Sequence, residues 1–319
     1  MIKVGVSGCD NLRAQELVRV LINHPDVELR WVSSRIGEGS RLDSIVPGLM
    51  GECDLAVVAS GTLDDVDLVY VCGRRDEVAA SLSTFEDHDD VCVIDLSGCH
   101  NEDYSPEGPW KYGLSEMQRR YLVHDTCLVT VPGNVAAASL LALMPLARNL
   151  MLNSALTLSV QLGVSALPAD GKTADGMTLD EWAADQRREI GYALRQCQSS
   201  FSQPITLDVK PLDERRMLVV SARFKCAVDV ETLREMYYEA YYADHNFVFL
   251  VDREITAADV ENTNKCLMRL DKDEQSGMLT VTAVMDVLLK GASGMAVHAM
   301  NLMFGLHERV GLALKGTGC

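Results

Sequence analysis

The chain has 319 residues and a mass of 35.0 kDa, which suits two closely joined domains, and 48% of its residues are hydrophobic, enough for sizeable cores. Its net charge of −17 argues against partners that need a basic surface, namely nucleic acids and anionic membranes. No apolar run approaches the length of a membrane span, and the sequence begins directly as a strand, so we expect neither a membrane helix nor a signal peptide.

The first 150 residues alternate between predicted strands and predicted helices. Apolar runs predict strands at 2–6, 28–32, 55–58, 66–72, 91–96 and 127–131, and helices at 15–21 and from 135 to about 149. This alternation predicts a doubly wound parallel sheet of the α/β class. Gly5, Ser7 and Gly8 lie at the first strand-to-helix junction, where a dinucleotide pyrophosphate would meet a helix N-terminus.

From about residue 152 the pattern changes to strands with alternating β-branched residues. Strands are predicted at 156–163, 205–209, 217–224, 247–251 and 278–284, and helices at 179–198, 230–242 and 293–306. Thr178 and Glu181 predict a capping box, and 163–176 is predicted to be a polar loop. We therefore expect a second, α+β domain with a mostly antiparallel or mixed sheet. The predicted division is 1–150 with 294–319 for the first domain and 151–293 for the second.

The cysteines lack any metal-binding spacing, and several lie inside apolar strands. There are ten: Cys9, Cys53, Cys72, Cys92, Cys99, Cys127, Cys197, Cys226, Cys266 and Cys319. Such usage is typical of a reducing cytoplasm, where cysteine serves as a small hydrophobic residue. We expect a cytoplasmic protein with neither a disulfide framework nor a metal site.

Asn134 occupies the most informative position of the sequence. Pro132-Gly133-Asn134 forms a tight turn between a predicted strand and a predicted helix. Such a turn presents one side chain at the positive end of a helix, where a thiolate or an oxyanion would be stabilised. The geometry suits a nucleophile, but asparagine cannot attack a carbonyl. Either the site is inactive, or it does something other than covalent catalysis.

The segment 289–306 closely resembles the C-terminal signature of the N-acetyl-γ-glutamyl-phosphate reductases of arginine biosynthesis. The resemblance continues in order and at family spacing along the rest of the chain, and is greatest to a short branch of the family, through 23–29, 32–35, 48–54, 94–97, 112–116 and 262–267. It implies a Rossmann-like cofactor domain, an inserted α+β catalytic and dimerisation domain, and a C-terminal helix that returns to the first domain. This is the architecture of the semialdehyde dehydrogenases.

The same resemblance implies a reaction whose two main side chains are absent here. Family members reduce an acyl phosphate to a semialdehyde with NADPH, using a cysteine nucleophile and a histidine acid/base. The cysteine position is Asn134, which cannot form a thioester, and the histidine position is Gln186, which does not titrate. Cys127 is predicted to lie in the core, and Cys99 follows a different strand, so neither is an obvious replacement.

The positions that the resemblance assigns to NADP are only partly kept. Asn11 stands where the family has a third glycine, and its side chain would obstruct the pyrophosphate. Ser34 and Arg35 follow the second strand and suit a 2′-phosphate, although Arg35 is equally compatible with an ordinary surface arginine. Another group keeps the family pattern but also suits tight helix packing, the interpretation we favour: Lys290, Gly291 and Ser293.

Arg216 aligns with a family arginine that precedes a strand. It is either a surviving contact to an anionic substrate or an exposed charge at the start of a strand.

These losses together favour a catalytically degenerate relative of the reductase that acts as a binding or subunit protein. It would form a homo-oligomer, dimer or tetramer, or a hetero-oligomer with an active paralogue, and a small anionic metabolite is a candidate ligand. Two alternatives stay open. One is a working NADP-dependent reductase with an unrecognised nucleophile or a non-covalent hydride transfer. The other is a sensor of a metabolite or nucleotide. Whether the chain is an enzyme is therefore left undecided by the sequence.

Overall fold

The structure, a computed structural model, describes residues 1–86, 88, 90–123, 126–166, 177–242 and 247–317. They divide into two units, of which the first contains Met1–Pro132 and Ala292–Ala313, and the second contains 133–166, Met177–Gly291 and the last described residues. The predicted loop at 163–176 falls mostly outside the described residues. The assignment of 1–150 with 294–319 and of 151–293 to separate functional domains remains a prediction.

The first unit is built on a seven-stranded, entirely parallel sheet with the order β3-β2-β1-β4-β5-β7-β6. Its strands are β1 (Ile2–Ser7), β2 (Val27–Ser33), β3 (Val57–Val58), β4 (Leu68–Val71), β5 (Cys92–Asp95), β6 (Trp110–Tyr112) and β7 (Leu128–Thr130). The helices that accompany them are α1 (Leu12–Ile22), α2 (Arg75–Glu86) and α3 (Ser115–Leu122). The central strands are continuous apolar runs, as expected for parallel strands covered on both faces. The predicted doubly wound, Rossmann-like sheet is confirmed.

The second unit contains a six-stranded mixed sheet with the order β11-β12-β13-β10-β8-β9. Its strands are β8 (Leu156–Gly163), β9 (Ile205–Leu212), β10 (Met217–Lys225), β11 (Val248–Leu250), β12 (Cys266–Asp273) and β13 (Met278–Asp286). Its helices are α4 (Asn134–Arg148), α5 (Leu179–Cys197), α6 (Val230–Tyr241) and α7 (Ala257–Val260). β10 is antiparallel to both neighbours, whereas β8–β9 and β11–β12 are parallel. The predicted α+β character is confirmed.

Helix α4 is buried along nearly its whole length, since its sequence is apolar on every face. Pro145 lies inside it and has no N–H, so the carbonyl of Leu141 lacks its usual partner one turn further on. The hydroxyl of Tyr241 on α6 donates to this carbonyl at 2.6 Å, and the hydroxyl of Tyr237 donates to the carbonyl of Ala142. These contacts fix α4 within the second unit and thereby fix the position of its N-terminus.

The last helix, α8 (Gly294–Met303), lies in the first unit. The amide nitrogen of Asn301 donates to the carbonyls of Glu308 and Val310, and its oxygen lies 3.0 Å from Nε2 of His24. Among the described residues, no helix combines the length and the apolar character needed to cross a membrane.

One expectation about the cysteines is wrong. Cys92 and Cys127 form a disulfide, with Cα atoms 4.2 Å apart. The reason is the register of β5 and β7, which pairs Val93 with Leu128 and so brings the preceding cysteines together. Cys127 is therefore exposed at a strand start rather than buried in the core. The other described cysteines form no disulfide: Cys9, Cys53, Cys72, Cys99, Cys197, Cys226 and Cys266.

Candidate functional site

Asn134 is the first residue of α4, at the position where the sequence predicts it. It is half-buried, and its side-chain oxygen accepts a hydrogen bond from the backbone N–H of Val135 at 2.7 Å. Gly291 lies against it, because a Cβ added to Gly291 would be 3.1 Å from the Cβ of Asn134. The side chain of Asn134 thus accepts a hydrogen bond from the backbone of its own helix.

Gln186, on α5, caps the same helix end. Only 3% of this residue is exposed, and its side-chain oxygen accepts a hydrogen bond from the backbone N–H of Ala136 at 3.1 Å. The glutamine amide approaches Gly133 so closely that a Cβ there would be 2.2 Å from Nε2. The predicted site residues Asn134 and Gln186 are therefore brought together, and both act as hydrogen-bond partners of the first turn of α4.

Glu189 is the residue of this site that sequence reasoning missed. It is 1% exposed, and its two carboxylate oxygens lie 3.1 and 3.3 Å from the backbone N of Gly133, which donates to them. The amide of Gln186 also donates to Glu189, at 3.4 Å. The spacing of three residues between Gln186 and Glu189, which places both on one face of a helix, was the available signal.

The N-terminus of α4 is consequently occupied by side chains of its own unit. The backbone N–H groups of Gly133, Val135 and Ala136 donate to Glu189, Asn134 and Gln186 respectively. In an active site of this geometry, these donors and the helix dipole would stabilise a thiolate or an oxyanion. Here the buried carboxyl group of Glu189 already accepts one of these donors. The arrangement provides hydrogen-bond acceptors for three backbone N–H groups at the helix end. Asn134 and Gln186 supply neither a nucleophile nor a titrating acid/base.

Arg216 forms a buried ion pair with Asp286. Its Nε lies 2.8 Å from one carboxylate oxygen and its Nη2 donates to the other at 3.1 Å, with side-chain exposures of 13% and 0%. Asp286 also accepts backbone N–H groups from Asn262, Leu288 and Leu289. Burial raises the pKa of Asp286, and the opposing effect of Arg216 only partly offsets it. The alternative of an exposed charge at a strand start is wrong, and the guanidinium is directed at an internal anion.

Lys290 is fully buried in a π-helical turn at Leu289–Ser293, with its ammonium 5.7 Å from the ring centroid of Phe247. Gly291 contacts the second-unit backbone, since a Cβ there would be 3.2 Å from the carbonyl of Asp286. Ser293 is also buried. All three positions therefore suit tight packing.

The loop between β1 and α1 in the first unit keeps the backbone geometry of a dinucleotide-binding domain. Gly8 has φ +82°, and a Cβ there would be 2.8 Å from the backbone N of Gly73, so only glycine fits. Gly5 is likewise required, because a Cβ would lie 2.2 Å from the ring of Trp31. The carbonyl of Ser7 accepts the N–H of Cys72 at 2.8 Å and joins the ends of β1 and β4.

The side chains around this loop differ from what a nucleotide phosphate needs. Asn11 is the N-cap of α1, accepting from the N–H of Ala14 at 3.0 Å and donating to the carbonyl of Cys72 at 2.7 Å. Ser34 and Arg35 both donate to the carboxylate of Asp10. Burial alone would raise the pKa of Asp10, but these hydrogen bonds outweigh it and hold the pKa below its usual value. The donors that could contact a phosphate are thus engaged with a carboxylate, and the residues in this arrangement do not fit NADP.

The thiols of the first unit differ in accessibility. Burial raises the pKa of Cys9 to about 12 and raises that of Cys72 further, so neither supplies a thiolate. Cys99 is half-buried, with its sulfur 3.1 Å from the hydroxyl of Ser97, which in turn lies 2.5 Å from the carboxylate of Asp95. Within the described part of the chain, no three His, Cys, Asp or Glu side chains are grouped as ligands for a metal ion.

Comparison with known proteins matches both units to one family. Residues 3–124 match the semialdehyde dehydrogenase NAD-binding domain, and residues 135–286 match the semialdehyde dehydrogenase dimerisation domain. The chain is 37% identical over 330 residues to the N-acetyl-γ-glutamyl-phosphate reductase of Phocaeicola vulgatus and 36% identical over 326 residues to that of Parabacteroides distasonis. In both alignments 99% of each chain is covered.

Solved structures share the fold at low identity. Aspartate semialdehyde dehydrogenase II from Vibrio cholerae superposes with a TM-score of 0.72 at 13% identity, covering 96% of this chain and 99% of that one. The Candida albicans enzyme, whose structure was determined with NADP, has a TM-score of 0.70 at 12% identity, covering 95% and 98%.

Proposed function

Since this chain belongs to the N-acetyl-γ-glutamyl-phosphate reductase family, we propose that it is a catalytically degenerate member that acts as a binding or subunit protein in the cytoplasm. The family reaction is the NADPH-dependent reduction of an N-acyl-glutamyl phosphate to the semialdehyde. It needs a thiolate that forms a thioester and a group that exchanges protons with the substrate. Asn134 and Gln186 stand at those positions and supply neither.

The observation that carries this proposal is the filled N-terminus of α4. A single lost side chain would leave the surrounding donors in place for a substitute. Here Gln186 and Glu189, both nearly fully buried, accept hydrogen bonds from the amides of the helix end. Buried hydrogen bonds of this kind stabilise the folded chain only if they stay formed. The site has therefore become part of the packing of the second unit.

The dimerisation domain supports a role through association. The second unit matches that domain of the family over residues 135–286. We propose that the chain forms a homo-oligomer, or a hetero-oligomer with an active paralogue, through this unit. A small anionic metabolite is a further candidate ligand.

Turnover by the purified chain is the decisive measurement. The assay runs in the dehydrogenase direction with phosphate, NADP and the N-acyl semialdehyde, and the Phocaeicola vulgatus relative, named for this activity, is the positive control. We expect no NADPH formation above the rate without enzyme. Turnover comparable to that of the control would overturn the proposal. Co-purification with an intact reductase would support the subunit role over a solitary one.

An active reductase with a different nucleophile is the second candidate, and Cys99 is the observation that favours it. Its thiol is half-buried and hydrogen-bonded to Ser97 at the carboxyl end of β5, the edge where ligands bind in open α/β sheets. If the wild-type chain shows turnover, a Cys99→Ser variant tests this candidate: loss of activity would assign the nucleophile to Cys99, and unchanged activity would exclude it.

A further inference from the structure

The loop between β1 and α1 places a carboxylate among the donors that would otherwise bind a phosphate. The side chain of Asp10 is 14% exposed. It accepts the Ser34 hydroxyl at 2.5 Å, the backbone N–H of Arg35 at 3.0 Å and Nε of Arg35 at 2.9 Å. A hydroxyl, a backbone amide and a guanidinium after the second strand form a donor set suited to a phosphate ester. All of them are directed at Asp10.

Arg35 is held on its other side by a second carboxylate. Its Nη1 donates to Glu77, in the first turn of α2, at 2.7 Å. Arg74 lies 3.7 Å from the same carboxylate and pairs with Asp76 at 2.9 Å. Two guanidinium groups thus face three carboxylates. These five side chains together carry a net negative charge, which opposes the binding of a phosphate dianion.

Three backbone N–H groups in and beside the loop are also engaged. The N–H groups of Gly8 and Cys9 donate to the carbonyl of Ser33 at 3.2 and 2.8 Å. The side chain of Asn11 accepts a hydrogen bond from the backbone N–H of Ala14 at the start of α1. A pyrophosphate would have to displace contacts with β2 as well as a carboxylate that is tethered in place and therefore has a high effective concentration.

We propose that Asp10 is an internal anion that fills the nucleotide-phosphate site of the first unit, with Glu77 orienting Arg35, so that the chain binds neither NADPH nor adenosine 2′,5′-bisphosphate. The inference rests on the proposed function only for the family assignment, which identifies the closed site as the cofactor site. It does not depend on the loss of catalysis at α4. The chain keeps the NAD-binding domain as a scaffold.

The test is calorimetric titration of the full chain with adenosine 2′,5′-bisphosphate, and fluorescence titration with NADPH. The variant is D10N/E77Q, which leaves Arg35 charged and removes both partners. The matched control is D43N/D54N, which frees Arg41 from two carboxylates in the same unit and changes the net charge equally. We expect no saturable binding to the wild type, and binding to D10N/E77Q at least about tenfold tighter than to the control. Adding R35A should abolish the gain.

Saturable NADPH binding to the wild type would overturn the inference. So would a D10N/E77Q variant with wild-type circular dichroism and no greater affinity than the D43N/D54N control. If the double variant does not fold, D10N alone is titrated, and a gain that R35A removes is again required. NADPH binding without turnover would overturn this inference and leave the degenerate function standing, whereas turnover would overturn both.

Discussion

The two family sites of this chain differ physically in how their hydrogen-bond donors are engaged. At the N-terminus of α4 in the second unit, Gln186 and Glu189 are 3% and 1% exposed and bond to the helix amides. Around the β1–α1 loop of the first unit, Arg35 is 64% exposed and pairs with Asp10 and Glu77. Buried polar groups that lose a partner destabilise a protein, whereas exposed ion pairs contribute little to its stability.

This difference predicts that the contacts at the second-unit site are coupled to folding, whereas those of Arg35 at the first-unit site contribute little to stability. Restoring a cysteine at position 134 would leave Glu189 on the amide of Gly133 and Gln186 on that of Ala136. A thiolate there would face a buried carboxylate. In the first unit, by contrast, we expect removal of the Asp10 and Glu77 carboxylates to cost little stability, because their partner Arg35 is exposed.

Arg216→Ala is expected to give the largest loss of stability. The substitution leaves Asp286, which is fully buried, without its ionic partner, and breaking such a pair costs about 3 kcal/mol of the free energy of unfolding. Urea-induced unfolding followed by circular dichroism measures the change. The exposed neighbour provides the matched control, because Arg215→Ala should stay within about 0.5 kcal/mol of the wild type. Equal stability of the two variants would argue that Arg216 is free to contact a ligand.

Glu189→Ala should give the next largest loss, about 2 kcal/mol of the free energy of unfolding. The backbone N–H of Gly133 and the amide of Gln186 both lose a buried acceptor. The control is Glu235→Ala on the exposed face of α6, which should change the urea midpoint very little. If both variants unfold at the wild-type midpoint, the helix end is not coupled to folding, and the contrast between the two units disappears.

Most of the long strands and helices were predicted from the sequence because each carries its own period, but the eight-residue strand β12 (Cys266–Asp273) was not predicted. The strand at Leu156–Gly163 and the capping box at Thr178 were predicted at the residues where they occur. The helix at Arg75–Glu86 was missed, since it has few apolar residues. The short strand Trp110–Tyr112 and the helix Ser115–Leu122 were also missed, because three and eight residues give little periodic signal.

Only the part of the candidate site that lies in one contiguous segment of the sequence was predictable. A strand, a Pro-Gly turn and an apolar helix are contiguous, so the position of Asn134 could be inferred. The bond from Ala136 to Gln186 joins residues 50 positions apart, and that from Arg35 to Asp10 spans 25. Such pairs depend on how elements pack and on rotamers, which composition and spacing do not specify. The disulfide between Cys92 and Cys127 escaped prediction for the same reason.

Gly133→Ala should reduce the free energy of unfolding by less than Glu189→Ala does, namely by about 1–2 kcal/mol. The new Cβ would lie 2.2 Å from Nε2 of Gln186, so the flexible amide must move and weaken its cap on Ala136. Thermal unfolding measures the loss. Gly48→Ala is the control, since nothing lies within 4 Å of a Cβ there. A Gly133→Ala protein as stable as the Gly48→Ala protein would mean that the Gln186 cap adds nothing.

Asp10→Asn should have the smallest effect on stability and a defined pH dependence. Although burial opposes it, hydrogen bonds from Ser34 and Arg35 hold the pKa of Asp10 below the ordinary value of 3.8. A carboxyl with a lowered folded-state pKa stabilises the protein above its ordinary pKa and loses this contribution as the pH falls through the folded-state value. The small difference in unfolding midpoint between the wild type and D10N should therefore be constant near neutrality and vanish in acid.

Asp43→Asn separates this electrostatic effect from the closure of the site. The hydrogen bond from Arg41 likewise holds the pKa of Asp43 below its usual value, so D43N should show the same pH trend. Only D10N should also gain affinity for adenosine 2′,5′-bisphosphate, because only Asp10 lies among the donors of the β1–α1 loop. A gain of the same size in D43N would show that net charge governs binding, and Asp10 would then be one surface carboxylate among many.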